Sequence, residues 1–242
     1  MAYNYNFDKN ACWFRSKCPN YNNPEECYRG CINYMVMDYL CYTSQIPKAM
    51  QQPDNLKLVP IEADMTAFKR LAEIKDNIYS WVDGGYNLLI HSAQCGNGKT
   101  TWAIKIMLNY FTKLLNGNGF RCRGVFINVI SFIIRNKRAI SVKDPELDDL
   151  IENLRESDLV IWDDVGANDL SKYEYDLLMD ILDYRLANKR ANIFTSNANK
   201  EEMMNNLGQR FTSRILDSEV IEITGPDERG KRIWLNCKSS TK

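Results

Sequence analysis

The run Ser92-Ala93-Gln94-Cys95-Gly96-Asn97-Gly98-Lys99-Thr100 sets two glycines, a lysine and a threonine in an order that suits one chemistry, the grip on a chain of phosphates. Glycines let backbone N–H groups turn inward around phosphate oxygens, and a helix starting at the same place adds its partial positive charge. Lys99 would reach the outer phosphates of ATP or ADP and Thr100 would hold Mg²⁺. The backbone from Ala93 through Gln94, Cys95, Gly96, Asn97 and Gly98 to Thr100 and Thr101 would cradle the anion. The pattern departs from G-x-x-x-x-G-K-[ST] at Ala93, which replaces the first glycine. Because Gly96 and Gly98 flank the tightest part of the turn, this departure is expected to perturb the loop only slightly.

A second group follows in Asp158-Leu159-Val160-Ile161-Trp162-Asp163-Asp164-Val165-Gly166, an apolar stretch ending in two carboxylates. Asp163, at the carboxyl end of a strand next to the phosphate loop, would bind the Mg²⁺ shell, and Asp164 would orient or deprotonate an attacking water. Paired aspartates are also ordinary turn formers, and it is the upstream phosphate loop that gives these a chemical reading. Asn192 to Asn197 closes another apolar stretch with an amide. Asn197 is therefore either a sensor of the outermost phosphate or a turn residue before the helix that Asn199-Lys200-Glu201-Glu202 caps. Arg210 and Arg214 stand at i and i+4 on one helix face. There a guanidinium can stabilise phosphoryl charge on an adjacent subunit, or can simply face water.

These groups need a scaffold that brings strand ends together. From residue 56 onward, buried-strand patterns alternate with amphipathic helical ones, the sequence form of a parallel sheet covered on both faces. Strands are predicted near Asn87 to His91, Gly124 to Asn128, Leu159 to Asp163, Asn192 to Ser196 and Val220 to Ile223. Trp102, Ile106, Tyr110 and Leu114 mark one apolar helix face, and Leu147, Leu150, Ile151 and Leu154 mark another. Ser171-Lys172-Tyr173-Glu174 opens a third helix as a capping box, followed by Leu178, Ile181, Leu182 and Arg185.

With 242 residues, 45% of them hydrophobic and 26% charged, the chain has room for one large domain and a small appendage. Lysine plus arginine equals aspartate plus glutamate at 31 each, so any nucleic-acid contact must be a local patch. No apolar run is long enough to span a bilayer, and Met1 to Asn6 lacks the pattern of a signal peptide, so the expected location is the cytoplasm with no membrane partner. Cys12, Cys18, Cys27, Cys31 and Cys41 crowd the N-terminal segment. The first four could enclose a tetrahedral zinc ion, with Cys41 as spare, or could be reduced thiols packed as small hydrophobes. Gln45 to Asp54, with Pro47 and Pro53, reads as a connector.

Taken in order, Ala93 to Thr100, Leu159 to Gly166 with its Asp-Asp-x-Gly ending, Thr195-Ser196-Asn197 and Arg210-x-x-x-Arg214 resemble the DnaC/IstB-like branch of AAA+ ATPases over about residues 56 to 235. The resemblance implies an α/β P-loop NTPase fold with a parallel five-stranded sheet of order 5-1-4-3-2 flanked by helices. It also implies no C-terminal helical lid, because the chain ends soon after Trp234. It makes Arg214 a trans-acting finger with Arg210 as fallback, and Arg232, in Arg229-Gly230-Lys231-Arg232, a sensor on the nucleotide's own subunit. The cysteine segment looks like the zinc-holding, helicase-docking domain of DnaI-type and phage-encoded loaders. The chain then divides into a docking domain at 1–45, a linker at 46–55 and an ATPase domain at 56–242.

Helicase loaders carry an extra helical element for single-stranded DNA between the second strand and the strand that ends at Asp163, here Val129 to Ser157. In it, Phe132 could stack on a base and Arg135, Lys137 and Arg138 could meet phosphates, unless Phe132 belongs to the core. The function implied is ATP-dependent loading of a hexameric replicative helicase onto single-stranded DNA. The loader would self-associate through its ATPase domain, and ATP hydrolysis would be slow without DNA or partner. The alternatives are a transposition accessory ATPase, a small-molecule or nucleoside kinase, and a non-hydrolysing ATP-binding adaptor. Residues around Leu58 to Phe68 are where an adenine pocket is expected.

Overall fold

The computed structural model describes residues 3, 5–23, 25–58, 61–114 and 120–227. Five strands form one parallel sheet: β1 (Asn87–His91), β2 (Gly124–Asn128), β3 (Leu159–Asp163), β4 (Ala191–Ser196) and β5 (Glu219–Glu222). Their order across the sheet is β2-β3-β4-β1-β5, the expected 5-1-4-3-2 read from the other edge. As that order implies, β4 runs between β1 and β3 and pairs with both.

The burial of each strand follows its place. Every residue of β3 and β4 is buried, as the interior of a two-faced parallel sheet requires, whereas β5 at one edge buries only Ile221. The opposite edge, β2, is covered where the Phe126 N–H donates to the Ser44 carbonyl at 2.7 Å, which satisfies part of an exposed ladder.

The helices are α1 (Ile32–Thr43), α2 (Met65–Asp76), α3 (Ile78–Asp83), α4 (Lys99–Lys113), α5 (Val129–Ala139), α6 (Pro145–Glu156), α7 (Lys172–Ala187) and α8 (Lys200–Leu216). On one face of the sheet, α4 buries Trp102, Ile106 and Tyr110 and packs with α2, α3 and Met37, Leu40 and Cys41 of α1. On the other face, Phe132 and Ile133 of α5, Leu147, Leu150 and Leu154 of α6, Leu178 and Leu182 of α7, and Phe211 and Ile215 of α8 make a second cluster. Two apolar layers on a central sheet account for the near-continuous hydrophobic runs of the inner strands.

Local signals hold at the helix starts. Ser171 with Glu174 and Asn199 with Glu202 both form reciprocal capping boxes, as their spacing predicts. Inside α8, Gly208 has φ +75° and breaks the helical path, so the half carrying Arg210 and Arg214 is re-aimed relative to the half that begins at Lys200.

Candidate nucleotide site

Parallel strands end on one side of the sheet, so the loops after β1, β3 and β4 converge there. The loop after β1 turns through Gly96 at φ +75° and Gly98 at φ +102°, conformations that favour glycine. Ala93 has no positive φ, which explains why alanine is accepted at that step. Gly98 also sits under Leu58, whose Cδ2 would be 2.6 Å from a Cβ at that position.

α4 starts at Lys99 without a side-chain cap and with no acidic residue in its first turn, leaving its leading N–H groups turned to the loop. Lys99 is buried. Its Nζ donates to the Gln94 carbonyl at 2.8 Å and to Asn97 Oδ1 at 3.3 Å, so the ammonium is held across the hollow of the loop. Asn97 bonds Ser92 Oγ and, at 3.1 Å, the Ile223 carbonyl beyond β5. An uncapped helix start, inward-turned glycines and a buried ammonium fit a polyphosphate.

Thr100 Oγ1 donates to Asp163 Oδ1 at 2.7 Å, and Thr195 Oγ1 on the intervening β4 donates to the same oxygen at 2.7 Å. Burial raises the Asp163 carboxyl above its ordinary pKa; the two hydroxyl bonds pull it back and the neighbouring Asp164 charge adds to the rise. A hydroxyl and a carboxylate oxygen in direct contact are the hard oxygen donors that suit Mg²⁺.

Asp164 adopts φ +59°, a left-handed conformation that aspartate tolerates better than most residues. Its N–H donates to Thr195 Oγ1 at 3.0 Å, and its Oδ2 accepts from Asn128 Nδ2 at 3.2 Å. Asn197 Nδ2 reaches Cys95 Sγ of the phosphate loop at 3.4 Å, and its Oδ1 is buried without a hydrogen-bond partner among the described residues. The fold thus gathers Ala93 to Thr101, Asp163, Asp164 and Asn197 at one end of the sheet.

Two participants in the site escaped sequence reading, as did one long-range contact beyond β5. Thr195 links both aspartates, Asn128 restrains Asp164, and Asp64 accepts from Thr224 N, Thr224 Oγ1 and Gly225 N at 2.7, 2.8 and 2.9 Å. A hydroxyl inside an apolar strand and an amide at a strand end were available signals for the first two. Asp64 carried none, because its partners lie 160 positions away.

Other expected residues lie elsewhere. Arg210 and Arg214 both pair with Asp183 of α7, the first at 2.8 Å. Arg232 and Trp234 lie outside the described residues. Phe132 is buried in the core at 4% exposure, so it cannot serve as a stacking ring. Arg135 is bound to Asp144 at 2.6 Å and Lys137 to Glu174 at 2.7 Å, leaving Arg138 as the exposed cation of that cluster with no ion pair among the described residues.

The zinc expectation is not supported. Burial raises the Cys12 thiol, and Cys31, Cys27 and Cys18 are near enough to add to that rise. Yet among the described residues no group of three or more histidine, cysteine, aspartate or glutamate side chains is placed to hold a metal ion. Among the described residues no helix is long and apolar enough to cross a membrane.

Comparison with known proteins agrees with this geometry. The chain is 27% identical over 157 residues to the replicative helicase loader DnaC of Escherichia coli (strain K12), a match covering 65% of this chain and 60% of that one. The solved structure of DnaI shares the fold with a TM-score of 0.58 at 19% identity, covering 75% of this chain and 96% of that one. Domain III of the Thermotoga maritima replication initiation protein DnaA gives a TM-score of 0.60 at 17% identity, covering 82% and 78%. Residues 62–232 match the family described as IstB-like ATP binding protein, and with its AAA+ P-loop fold the chain belongs to that family.

Proposed function

We propose that this protein is an ATP- and Mg²⁺-dependent loader that places a ring-shaped hexameric replicative helicase on single-stranded DNA. The observation that carries the reading is the convergence of Lys99, Thr100, Asp163, Thr195 and Asp164 at one sheet end, in a chain similar to a replicative helicase loader across most of that fold.

Lys99 would leave the Gln94 carbonyl for the outer phosphates, and Thr100 and Asp163 would hold Mg²⁺, which when bound neutralises phosphate charge. Asp164 would accept the proton of the attacking water as ATP becomes ADP and phosphate, once Asn128 releases its carboxylate. Asn197 would report the outermost phosphate. Arg214, or Arg210 in its place, would exchange Asp183 for a neighbouring subunit's nucleotide when copies associate through the ATPase domain. ATP would then act as an assembly and release switch.

Residues 1–45 would dock the helicase and 46–55 would connect them to the ATPase domain at 56–242. Single-stranded DNA would meet the outer end of α5 at Arg138, since Arg135 and Lys137 are engaged. The site of action would be the bacterial cytoplasm. The decisive experiment measures the mass of a complex between this chain and a replicative helicase with and without ATP. A nucleotide-dependent complex that disappears in Lys99→Ala supports the proposal. Unchanged ATP affinity in that variant, or no complex with the wild-type chain, overturns it.

A further inference from the structure

Strand directions place the amino ends of β2, β3 and β4 at the sheet end opposite the phosphate loop. Arg123, Asp158 and Arg190 each immediately precede one of these strands. There they surround a cavity of about 370 Å³ that Tyr110, Arg121 and Lys189 also line. Asp158 is the acceptor at its centre: Tyr110 donates to Oδ2 at 2.8 Å, Arg190 and Arg121 reach Oδ1 at 3.2 and 3.4 Å, and Arg123 forms an ion pair with it.

The balance is uneven. Each guanidinium carries several N–H donors, so three of them exceed what one carboxylate accepts. Glu156 takes a further Arg190 contact at 3.4 Å, Arg190 Nε is buried with no hydrogen-bond partner among the described residues, and Lys189 adds a fourth cation. Among the described residues, the only other acid on the wall is Asp83, which is exposed. Asp158 is nearly buried at 8% exposure, so it fixes the guanidinium groups in place, while Arg121, about half exposed, stands at the mouth.

We propose that this cavity is a second anion site, distinct from the nucleotide loop, that takes a phosphate group. A phosphate presents more oxygens and more charge than a carboxylate, and pre-positioned guanidinium forks match it. The source is either the backbone of a nucleic-acid strand or a free polyphosphate. This inference stands apart from the helicase reading.

The test uses the full chain carrying Lys99→Ala, so that the nucleotide loop does not compete, and measures binding of inorganic tripolyphosphate and of a labelled oligothymidylate. One tripolyphosphate per chain is expected, with affinity falling by about tenfold or more when Arg121→Gln and Lys189→Asn are added, since each removes a charge-assisted contact. Both positions are exposed, so the variant is expected to fold, and circular dichroism checks this. Displacement of the oligonucleotide by tripolyphosphate assigns a strand backbone; tripolyphosphate binding without displacement assigns a free polyphosphate. Absence of tripolyphosphate binding, equal affinity with and without the two substitutions, or binding of polyglutamate in place of both phosphate probes would overturn the proposal.

Discussion

Replacing Thr195 by valine removes one oxygen and almost no volume, at a residue that is fully buried. That oxygen makes two bonds, donating to Asp163 Oδ1 at 2.7 Å and accepting from the Asp164 N–H at 3.0 Å. A hydrogen bond to a carboxylate contributes about 1.5–3 kcal/mol, and a buried N–H left without an acceptor costs about 1–3 kcal/mol. Because Asp163 keeps the Thr100 hydroxyl, we expect Thr195→Val to destabilise the fold by about 2–4 kcal/mol, measured by urea unfolding at neutral pH. Thr195→Ser keeps the oxygen and loses one methyl, so about 1 kcal/mol is expected.

The same bond pulls the Asp163 pKa down against burial, so its loss lets the carboxyl rise further. Protonation of Asp163 competes with metal binding, and Mg²⁺-dependent nucleotide affinity in Thr195→Val is therefore expected to weaken at a higher pH than in the wild type. A valine variant within about 0.5 kcal/mol of wild type, with an unshifted pH profile, would refute the idea that Thr195 links the two aspartates.

Asn128→Ser retains a good helix cap for α5 but is too short to hold Asp164, so basal ATP turnover should rise while stability stays within about 0.5 kcal/mol; a fall in turnover argues against restraint by Asn128. Arg185 is fully buried and donates to Asn192 Oδ1 and to the Leu154, Ser157 and Ala191 carbonyls. Arg185→Met should cost about 3–5 kcal/mol in urea unfolding, because those carbonyls lose their donors, and a loss below about 1 kcal/mol would contradict this. The Lys137 ion pair, then the Ser171 contact, draw the Glu174 pKa down to about 2. Its stabilisation is therefore present above the ordinary carboxylate range and is lost as pH falls toward 2, so Glu174→Gln should flatten the acid limb of a stability–pH curve over that window.

Chemistry written in consecutive residues was legible before any coordinates. Ser92 to Thr100, the Asp163-Asp164 pair, the strand runs and the capping boxes each depend on neighbours within a few positions, where backbone geometry leaves little freedom. Resemblance supplied the sheet order. Less legible were the surroundings of residues that depend on what packs beside them. The periodicity that put Phe132 on α5 could not say which face met α6, and charge alone could not show that Arg135, Lys137, Arg210 and Arg214 already have carboxylate partners.

From order and spacing alone follow a triphosphate loop, its paired acids and an alternating strand–helix scaffold, because each is encoded within one turn or one strand. Fold topology assigned the rest. It set Thr195 of β4 as the link between Asp163 and Asp164; it brought Asn128 to Asp164 and Asp64 to Thr224; and it assembled three arginines around Asp158. Those contacts join positions far apart in the chain, and their pairing is set by parallel strand register and by two buried faces rather than by local preference.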